Sequence, residues 1–450
     1  MEFRANQAIL DDIKSLVAER NEEQLRVLFN EIHYADIAEI LEELEEEEAI
    51  YIFDILNAEK TAEVLLELDE DIREKILNHL SPREIAEELI ELSTDDAADI
   101  VSELSAEKKK DVINELEDEE HAKDIVELLR YHENTAGGLM AKELIKVNEN
   151  WTVFTCVREM RRQAENVSKV FSIYVVDDEG RLKGRLSLKD LLLTSTRTPI
   201  AAIYIKDILS VHVDTPDVEV ARLMQKYDLE AIPVLDELGR LVGRVTIDDI
   251  VDVIKEEADK DYQLAAGISS DVEADDSIID LTKARLPWLF LALLGGFVAV
   301  RVSGSFEEAM EKYQVLFFFT PLIAAMAGNV GVQSSAIIVQ GLANNSLSGS
   351  VWKRLGKEVS LSLLNGSLLA MFLLLGSYLL LRVDIIIGIT VSIALLSVII
   401  IASLIGTYVP ITLNKYGIDP ALATGPFITT SNDIFGILIY FSIAKLILGF

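Results

Sequence analysis

Two kinds of hydrophobic pattern divide the chain. Up to about residue 283, apolar residues recur at helical or alternating spacing among many charged ones, whereas from Leu286 they form long runs. A bilayer core of roughly 30 Å needs about 20 apolar residues in a helix. The runs therefore predict five membrane spans, which fall within residues 286–306, 313–352, 359–381, 385–414 and 420–444.

The first 130 residues show only helical periodicity. Amphipathic segments begin at Ala35, Lys60, Glu84 and Asp96, about 12 or 24 residues apart, and strand signals are missing. A helix of about 12 residues cannot bury its apolar stripe alone, so neighbouring units must cover one another. The pattern predicts an all-α superhelical N-domain over residues 1–130.

An internal repeat occupies the next part of the chain. The 21-residue segments that begin at Ser172 and Ala231 share nine identities at an offset of 59 residues. Each predicts a strand, a glycine turn, a second strand and a helix opened by a hydroxyl residue. The repeat resembles a tandem pair of CBS domains, with α/β folds over residues 136–200 and 201–256.

The repeated motif carries a candidate nucleotide site. The pattern Gly-x-apolar-Ser/Thr-x-x-Asp places Ser187 with Asp190 and Thr246 with Asp249. In domains of this kind the motif can hold ATP or another adenine nucleotide, with the carboxylate on the ribose. The alternative interpretation is that Ser187 and Thr246 only cap helices.

An acidic segment from Asp248 to Gly267 predicts a helix that leads to the membrane, and a connecting helix is assigned to residues 257–283. Residues 284–450 then form an all-α domain of five transmembrane helices. The fold class is that of a multidomain membrane protein, with a superhelical N-domain, an α/β pair and a helical membrane domain.

Charge is distributed unevenly between the two halves. The chain has 41 Lys/Arg and 76 Asp/Glu residues, a net charge of −35, but from Ala284 onward nine basic residues face only seven acidic ones. Residues 1–283 would repel a phosphate backbone, which argues against nucleic acid as a partner. The single Cys156 excludes a disulfide scaffold within the chain and CxxC zinc sites. The polar start of the chain predicts a cytosolic N-terminus.

One carboxylate lies inside a predicted span. Asp433 has no Lys or Arg within eleven residues in the sequence, and an ionised carboxylate there costs roughly 2.5–3.5 kcal/mol on insertion scales. It either pairs with a polar group or a helix-end lysine, or faces a water-filled path for cations. We favour the cation path.

Proline and glycine interrupt two spans, at Pro321–Gln333 and at Gly425–Pro426. We expect both segments to be unwound, with free carbonyls lining a polar path. Oxygen ligands suit a hard cation, and Mg²⁺ gives up its water reluctantly. Close helix packing is the alternative explanation for these glycines.

The whole chain resembles the MgtE family of magnesium channels. The resemblance is carried by the domain order, by Gly328–Ser335 (GNVGVQSS) and by Gly425–Leu446. It implies a homodimer in the cell (inner) membrane, with a pore on the two-fold axis bordered by Asp433, Asn329 and Gly328. It also implies that cytosolic Mg²⁺ binds between acidic surfaces, so that the connecting helix plugs the pore. The implied regulatory ligands are Glu63, Asp95, Asp99, Glu219, Asp228, Asp249, Asp252, Glu257 and Asp261.

This chain departs from the family pattern. Val332 and Gly425 replace asparagines, Ala336 replaces a hydroxyl residue, and carboxylates expected near the second CBS helix are replaced as well. The departures leave Mn²⁺ or Co²⁺ open as alternative ions. A nucleotide-responsive membrane sensor is another hypothesis, although an anchor needs neither a buried aspartate nor broken spans. An enzyme is not expected, because the sequence contains no catalytic triad, P-loop or histidine cluster.

Overall fold

The computed structural model describes residues 7–164, 167, 169–269, 272, 276–343, 347, 349–423 and 425–449. The chain divides into two compact units, residues 1–255 and 256–450.

The N-terminal part of the first unit is a stack of short helices, as the periodicity predicts. The helices are α1 Gln7–Ala18, α2 Glu22–Glu31, α3 Tyr34–Glu42, α4 Glu46–Ile55, α5 Ala58–Glu67, α6 Glu70–His79, α7 Pro82–Leu89, α8 Thr94–Glu103, α9 Ala106–Glu115 and α10 Glu119–Leu128. Helix α5 packs between α3 and α7, and α7 packs on α9. From α3 onward, several helices therefore bury their apolar stripes on neighbours two positions away, whereas α1 packs on α2 and α4.

A motif that recurs every 12 residues separates several of these helices. A leucine followed by a polar capping residue recurs at Leu68–Asp69, Leu80–Ser81, Leu92–Ser93 and Leu104–Ser105. The leucines are buried, and Ser81 and Ser105 accept hydrogen bonds from the backbone of the helix that follows. Side-chain acceptors satisfy the free N–H groups of a helix start. The chain therefore turns at every twelfth residue.

The internal repeat folds as two similar α/β halves. The first sheet has the order β1-β2-β3-β4 and the second β5-β6-β7. In both, the first two strands are parallel and the next pair antiparallel, and Val175↔Gly184 corresponds to Val234↔Gly243. The elements are β1 Ile145–Asn148, α11 Val153–Gln163, β2 Ile173–Val176, β3 Leu182–Leu186, α12 Leu188–Leu193, β4 Ile205–Lys206, β5 Val211–His212, α13 Asp217–Tyr227, β6 Ala231–Leu235, β7 Leu241–Thr246 and α14 Ile247–Ala266.

The connecting helix differs from the prediction. Helix α14 begins in the second repeat and ends at Ala266, where Gly267 adopts a φ of 82°, instead of running over 257–283. The next helix starts at Ile278. Part of the predicted segment, residues 270, 271 and 273–275, lies outside the described residues. The left-handed backbone conformation at residue 267 ends α14, and glycine adopts this conformation without strain.

Among the described residues of the second unit, five helices are long and apolar enough to cross a membrane, as predicted. They are α15 Ile278–Gly304, α17 Gln314–Ala343, α18 Val351–Leu379, α19 Ile385–Lys415 and α20 Pro426–Leu448, with the short α16 Glu307–Lys312 after α15. Helices α17 and α18 pack on α19, and α15 and α17 pack on α20.

The expectation of an unwound Pro321–Gln333 segment is wrong. Helix α17 is continuous through Pro321 and through the glycines that follow. Those glycines instead allow close approach to α20: a Cβ at Gly331 would collide with Asn432. The alternative of helix packing holds for α17. At Gly425 the break is present, because α20 begins at Pro426 with Gly425 as its N-cap.

Candidate functional site

Asp433 on α20 faces α17 at Gly328 and Asn329, the two residues that the sequence analysis named with it. A Cβ built on Gly328 would lie 3.8 Å from Asp433 Oδ1 and 3.3 Å from the Thr429 methyl group. Among the described residues, Asp433 has no hydrogen-bond or ion-pair partner. The helix-end lysine considered as its partner is therefore not beside it in this part of the chain.

Two cavities meet at Asp433. One of about 470 Å³ is bordered by Gly328, Asn329, Val332, Thr429 and Asp433. In this cavity Asp433 and Asn329 supply oxygen atoms, whereas Val332 contributes only an apolar surface where the family pattern has an amide. The sequence prediction for Asp433, Asn329 and Gly328 thus corresponds to one shared cavity.

The second cavity, of about 460 Å³, lies on the other side of Asp433. Ala266 at the end of α14 borders it together with Gly295, Gly425 and Asp433. Its walls are mostly small residues, so the carboxylate is the strongest charge in the cavity. The end of α14 therefore lies at the same cavity as the candidate ion-binding carboxylate.

Glycines bring the end of α14 against the start of α20. A Cβ on Gly425 would lie 2.6 Å from the carbonyl oxygen of Ala265, and a Cβ on Gly267 would lie 2.5 Å from Pro426 Cγ. A side chain at either place requires the backbone to move, because real Cβ atoms do not approach so closely. Gly425, where the family pattern has asparagine, is thus required by this arrangement.

A group of carboxylates occupies the start of two helices in the first unit. Asp95 and Asp96 are both hydrogen-bonded to Ser93 at the start of α8, and Glu143 accepts bonds from Thr94 N–H (3.0 Å) and Oγ1 (2.9 Å). Asp249 accepts bonds from Thr246 N–H (3.1 Å) and Oγ1 (2.8 Å). We call Asp95, Asp96, Asp99, Glu143, Asp248, Asp249 and Asp252 the carboxylate group.

The negative charges of the carboxylate group repel one another. Burial, together with the negative charges of Asp96 and Asp249, raises the pKa of Asp95 well above its usual value. Burial also raises the pKa of Asp249 to about 7, although its bonds from Thr246 act in the opposite direction. Burial of its carboxylate and the charges of Asp96 and Asp249 also raise the pKa of Asp99 to about 7, although the residue as a whole is exposed and water screens part of this effect. A cation would relieve this repulsion.

The arrangement does not enclose a bare ion. Within the ranges that the structure describes, no three acidic, histidine or cysteine side chains converge as ligands of one metal. These carboxylates lie close enough to repel one another, but they do not converge on one point. Such an arrangement suits an ion that keeps its water, as Mg²⁺ commonly does.

The other predicted regulatory residues lie elsewhere. Glu63 is on α5, where its charge acts on Tyr34. Glu219 and Asp228 are exposed at the two ends of α13. In the second unit, partial burial and the charges of Asp419 and Glu257 raise the pKa of Asp261. The structure therefore brings together Asp95, Asp99, Asp249 and Asp252, and separately Glu257 and Asp261.

The two nucleotide motifs are not equivalent. Ser187 caps α12 by accepting a bond from Asp190 N–H at 3.5 Å, and the Asp190 carboxylate is exposed. Thr246 instead bonds to Asp249, which belongs to the carboxylate group. Ser187 thus acts as the capping interpretation expects, whereas the Thr246 hydroxyl donates to Asp249 and accepts no backbone N–H bond in the described structure. Only Asp190 leaves its carboxylate to solvent.

Sequence reasoning missed four acidic residues near these sites: Asp96, Glu143, Asp248 and Asp419. A local signal existed for two of them, since Ser93-Thr94-Asp95-Asp96 and Thr246-Ile247-Asp248-Asp249 both place paired aspartates at a helix start. Glu143 is 49 residues from Thr94, so no local pattern indicates its role.

Comparison with known families and proteins agrees with these features. The family model of the divalent cation transporter MgtE matches residues 320–443, that of the MgtE intracellular N domain matches 32–134, and that of the CBS domain matches 136–195 and 200–256. The magnesium transporter MgtE of Thermus thermophilus is 39% identical over 334 residues, which is 72% of each chain. That of Enterococcus faecalis is 36% identical over 332 residues, 73% of this chain and 72% of the relative.

One solved structure supports the fold of the N-terminal part of the chain. The crystal structure of the cytosolic domain of the Mg²⁺ channel MgtE in complex with ATP has 38% sequence identity and a TM-score of 0.51. The match covers 54% of this chain and 99% of that one.

The raised pKa values give a pH prediction for the fragment 1–266. Because folded Asp95 and Asp249 hold protons more tightly than in the unfolded chain, stability is greatest at low pH and is lost as pH rises toward 7. In EDTA, urea unfolding should show the free energy of unfolding rising from pH 8 to pH 5.5, by at most about 1.4 kcal/mol per pH unit for each group.

An Asp249→Asn variant is the control, and we expect a smaller rise. Millimolar Mg²⁺ should also flatten the dependence, because it replaces protons as the counter-charge. A free energy of unfolding that falls between pH 8 and pH 5.5 contradicts this assignment.

Proposed function

Because the chain belongs to the MgtE family of divalent cation transporters, we propose that it carries Mg²⁺ across a membrane past Asp433. The observation that carries the proposal is an unpaired carboxylate at the meeting point of two cavities in a bundle of membrane-spanning helices. The family is one of transporters, which agrees with the expectation that the chain is not an enzyme.

Transport needs a charge that attracts the ion and neutral groups that let it leave. The Asp433 carboxylate supplies the attraction, while Asn329 and Thr429 offer neutral oxygen atoms to the water shell of the ion. Gly328 leaves room for that shell, because a side chain there would lie against Asp433 and Thr429. A hydrated ion held by one carboxylate is bound weakly enough to pass.

We assign the N-terminal unit to the cytosol and the pore to a homodimer, in the cell membrane, as the family resemblance implies. Two copies of Asp433 on a two-fold axis would double the negative charge that meets the ion. The relatives named as magnesium transporters support the choice of ion, and Val332 makes the comparison with Mn²⁺ and Co²⁺ informative.

Cytosolic Mg²⁺ would close this pore through the carboxylate group. An ion between α8 and the start of α14 neutralises two charges of the repelling set that includes Asp95, Asp96 and Asp249. The same helix α14 ends at Ala266 on the Asp433 cavity. Ions at one end of α14 can thereby bias the position of its other end, with Glu257 and Asp261 as a further acidic pair.

Several weak sites must act together in such a gate. A ligand shifts a conformational equilibrium only by its difference in affinity for the two states. We include Glu63, Glu219 and Asp228 in the regulatory set on the family resemblance alone, and their exposed or separate positions make them secondary to the carboxylate group.

An adenine nucleotide is the proposed second ligand of the cytosolic unit. The relative whose cytosolic domain was crystallised with ATP supports it, and the exposed Asp190 beside Ser187 offers a carboxylate for ribose. The Thr246–Asp249 pair has its carboxylate occupied by hydrogen bonds and faces other negative charges, which disfavours a phosphate there.

The pore prediction uses charge removal at constant shape. Asp433→Asn should reduce Mg²⁺ uptake into proteoliposomes on the order of tenfold or more, because the cation loses its main attraction in the span. Asp384→Asn is the matched control: Asp384 caps α19 by accepting from Ile386 N–H, a bond that asparagine can also make. If Asp433→Asn took up Mg²⁺ at the parental rate, the proposed role of the Asp433 charge would be wrong. Uptake of Mn²⁺ and Co²⁺, measured in parallel, identifies the ion that the protein carries.

The nucleotide prediction concerns the fragment 136–256. Calorimetry should detect ATP, ADP or AMP binding, and Asp190→Asn should weaken it roughly tenfold, the effect of losing a hydrogen bond to a charged group. Asp249→Asn should change the affinity little. If millimolar nucleotide gives no heat, Ser187 and Thr246 are helix caps only.

The gating prediction concerns the triple variant Asp249→Asn, Asp252→Asn, Glu257→Gln. We expect channel currents that persist at millimolar Mg²⁺ on the cytosolic side, and α14 that remains protease-sensitive there, because the bridging ions are lost. If the variant acted only by removing the repulsion between carboxylates, the channel would instead stay shut. The control Asp11→Asn, Asp12→Asn, Glu19→Gln removes the same charge from exposed positions on α1 and directly after it, and should close normally.

Two results would contradict the gate. A triple variant that stays shut at low Mg²⁺ would show that neutrality, not bridging, compacts the cytosolic unit. Equal protease protection of the parental protein with and without Mg²⁺ would show that α14 does not respond to the ion.

A further inference from the structure

A third cavity of the second unit lies between α17, α18 and α19, away from Asp433. Its volume is about 610 Å³. More than half of its lining residues are apolar, among them Leu368, Leu369 and Phe372. The polar lining consists of Asn329, Gln333, Ser334, Glu358, Ser362 and Asn365.

Glu358 is the charged residue of this lining. It lies seven residues after the start of α18 at Val351, about 10 Å along the helix axis. Ser334 Oγ on α17 donates a hydrogen bond to Glu358 Oε1 at 2.6 Å. Across the described residues, no Lys or Arg forms an ion pair with it. Its carboxylate is therefore held in place but not neutralised.

The cavity shares a wall with the Asp433 cavity. Asn329 and Gln333, one helical turn apart on α17, border both. The two cavities are thus separated by neutral amide side chains that can turn about their own bonds. Neither side chain places a positive charge between Asp433 and Glu358.

We propose that this cavity is a second binding site for a hydrated divalent cation, with the Glu358 carboxylate as its charge, beside the pore. The inference rests on the proposed transport function. The polar part of the lining offers carboxylate, hydroxyl and amide groups, which suit a hard cation that keeps its water. Six waters occupy about 180 Å³ at 30 Å³ each, so the cavity has room for a hydrated ion.

A site in this position concentrates ions at the pore wall. Its carboxylate attracts cations from solution, and Asn329 and Gln333 lie between it and Asp433. Removing the charge should therefore raise the concentration at which transport is half-saturated without lowering the maximal rate. Asp433 lies in the pore itself, so its loss lowers the rate at every concentration.

The binding test is independent of transport. Asn365→Cys is placed in the cavity, with Cys156→Ser to remove the native thiol and Asp433→Asn to remove the pore site. A small cationic methanethiosulfonate reagent should modify the full-length protein in proteoliposomes, and Mg²⁺ should slow the modification. Adding Glu358→Gln should abolish this protection. The glutamine keeps an oxygen acceptor for Ser334, so the hydrogen bond to α17 is retained.

Each other outcome overturns the site. A thiol that the cationic reagent never reaches shows that cations do not enter the cavity. Protection that is absent, or equal with Glu358 and with glutamine, shows that the carboxylate binds no ion and only positions Ser334.

The transport test separates this inference from the proposed function. In an otherwise parental protein, Glu358→Gln should raise the half-saturating Mg²⁺ concentration about tenfold, while Glu311→Gln, an exposed acid on α16, leaves it unchanged. No uptake by the parental protein contradicts the transport function, whereas parental uptake with an unaltered Glu358→Gln curve contradicts only the second site.

Discussion

Carboxylates without a cationic side chain beside them are the constraint on which the rest of this structure depends. Within the described residues, Asp433 has no ion-pair partner, and the strongest charges acting on Asp95 come from other carboxylates. A charge removed from water must be compensated, or it destabilises the fold. In the function we propose, a divalent cation would supply that compensation in both units, so the same ion could act as the transported species and as the regulator.

Small residues determine how closely the helices around Asp433 approach one another. Gly328 lets Asp433 approach α17, and Gly425 lets the end of α14 approach α20. A larger residue at either position would separate the helices and change the cavity that the carboxylate borders. The departure from the family pattern at Gly425 is thus a packing requirement of this chain, and it links the end of α14 to the cavity of Asp433.

Periodic and local signals made much of the fold predictable. The 12-residue helical repeat, the two α/β halves and the five long apolar helices each leave a pattern in the sequence, because burial repeats at the spacing of the element. Pro321 misled the prediction, since proline usually breaks a helix in water, whereas α17 continues through it. The end of α14 at Ala266 depended on the backbone of Gly267, which no hydrophobic pattern reports.

The candidate site was predictable where one residue carries the signal. Asp433 stands out because its span is otherwise uncharged, and paired aspartates mark Asp95 and Asp249. Glu143 and Asp419 join their neighbours only through the tertiary fold, and Glu358 lies just outside the uncharged run that defined its span. Their roles depend on which helix faces which, and a single sequence does not contain that information.

The most direct test of the account is Mg²⁺ uptake into proteoliposomes that contain the parental protein, with free Mg²⁺ on the cytosolic side held at micromolar or at about 10 mM, the weak range expected of few solvated carboxylate sites. The account predicts rapid uptake at the low concentration and little at the high one, under the same driving force. Equal uptake under both conditions would contradict the claim that divalent cations compensate the carboxylates and thereby close the path.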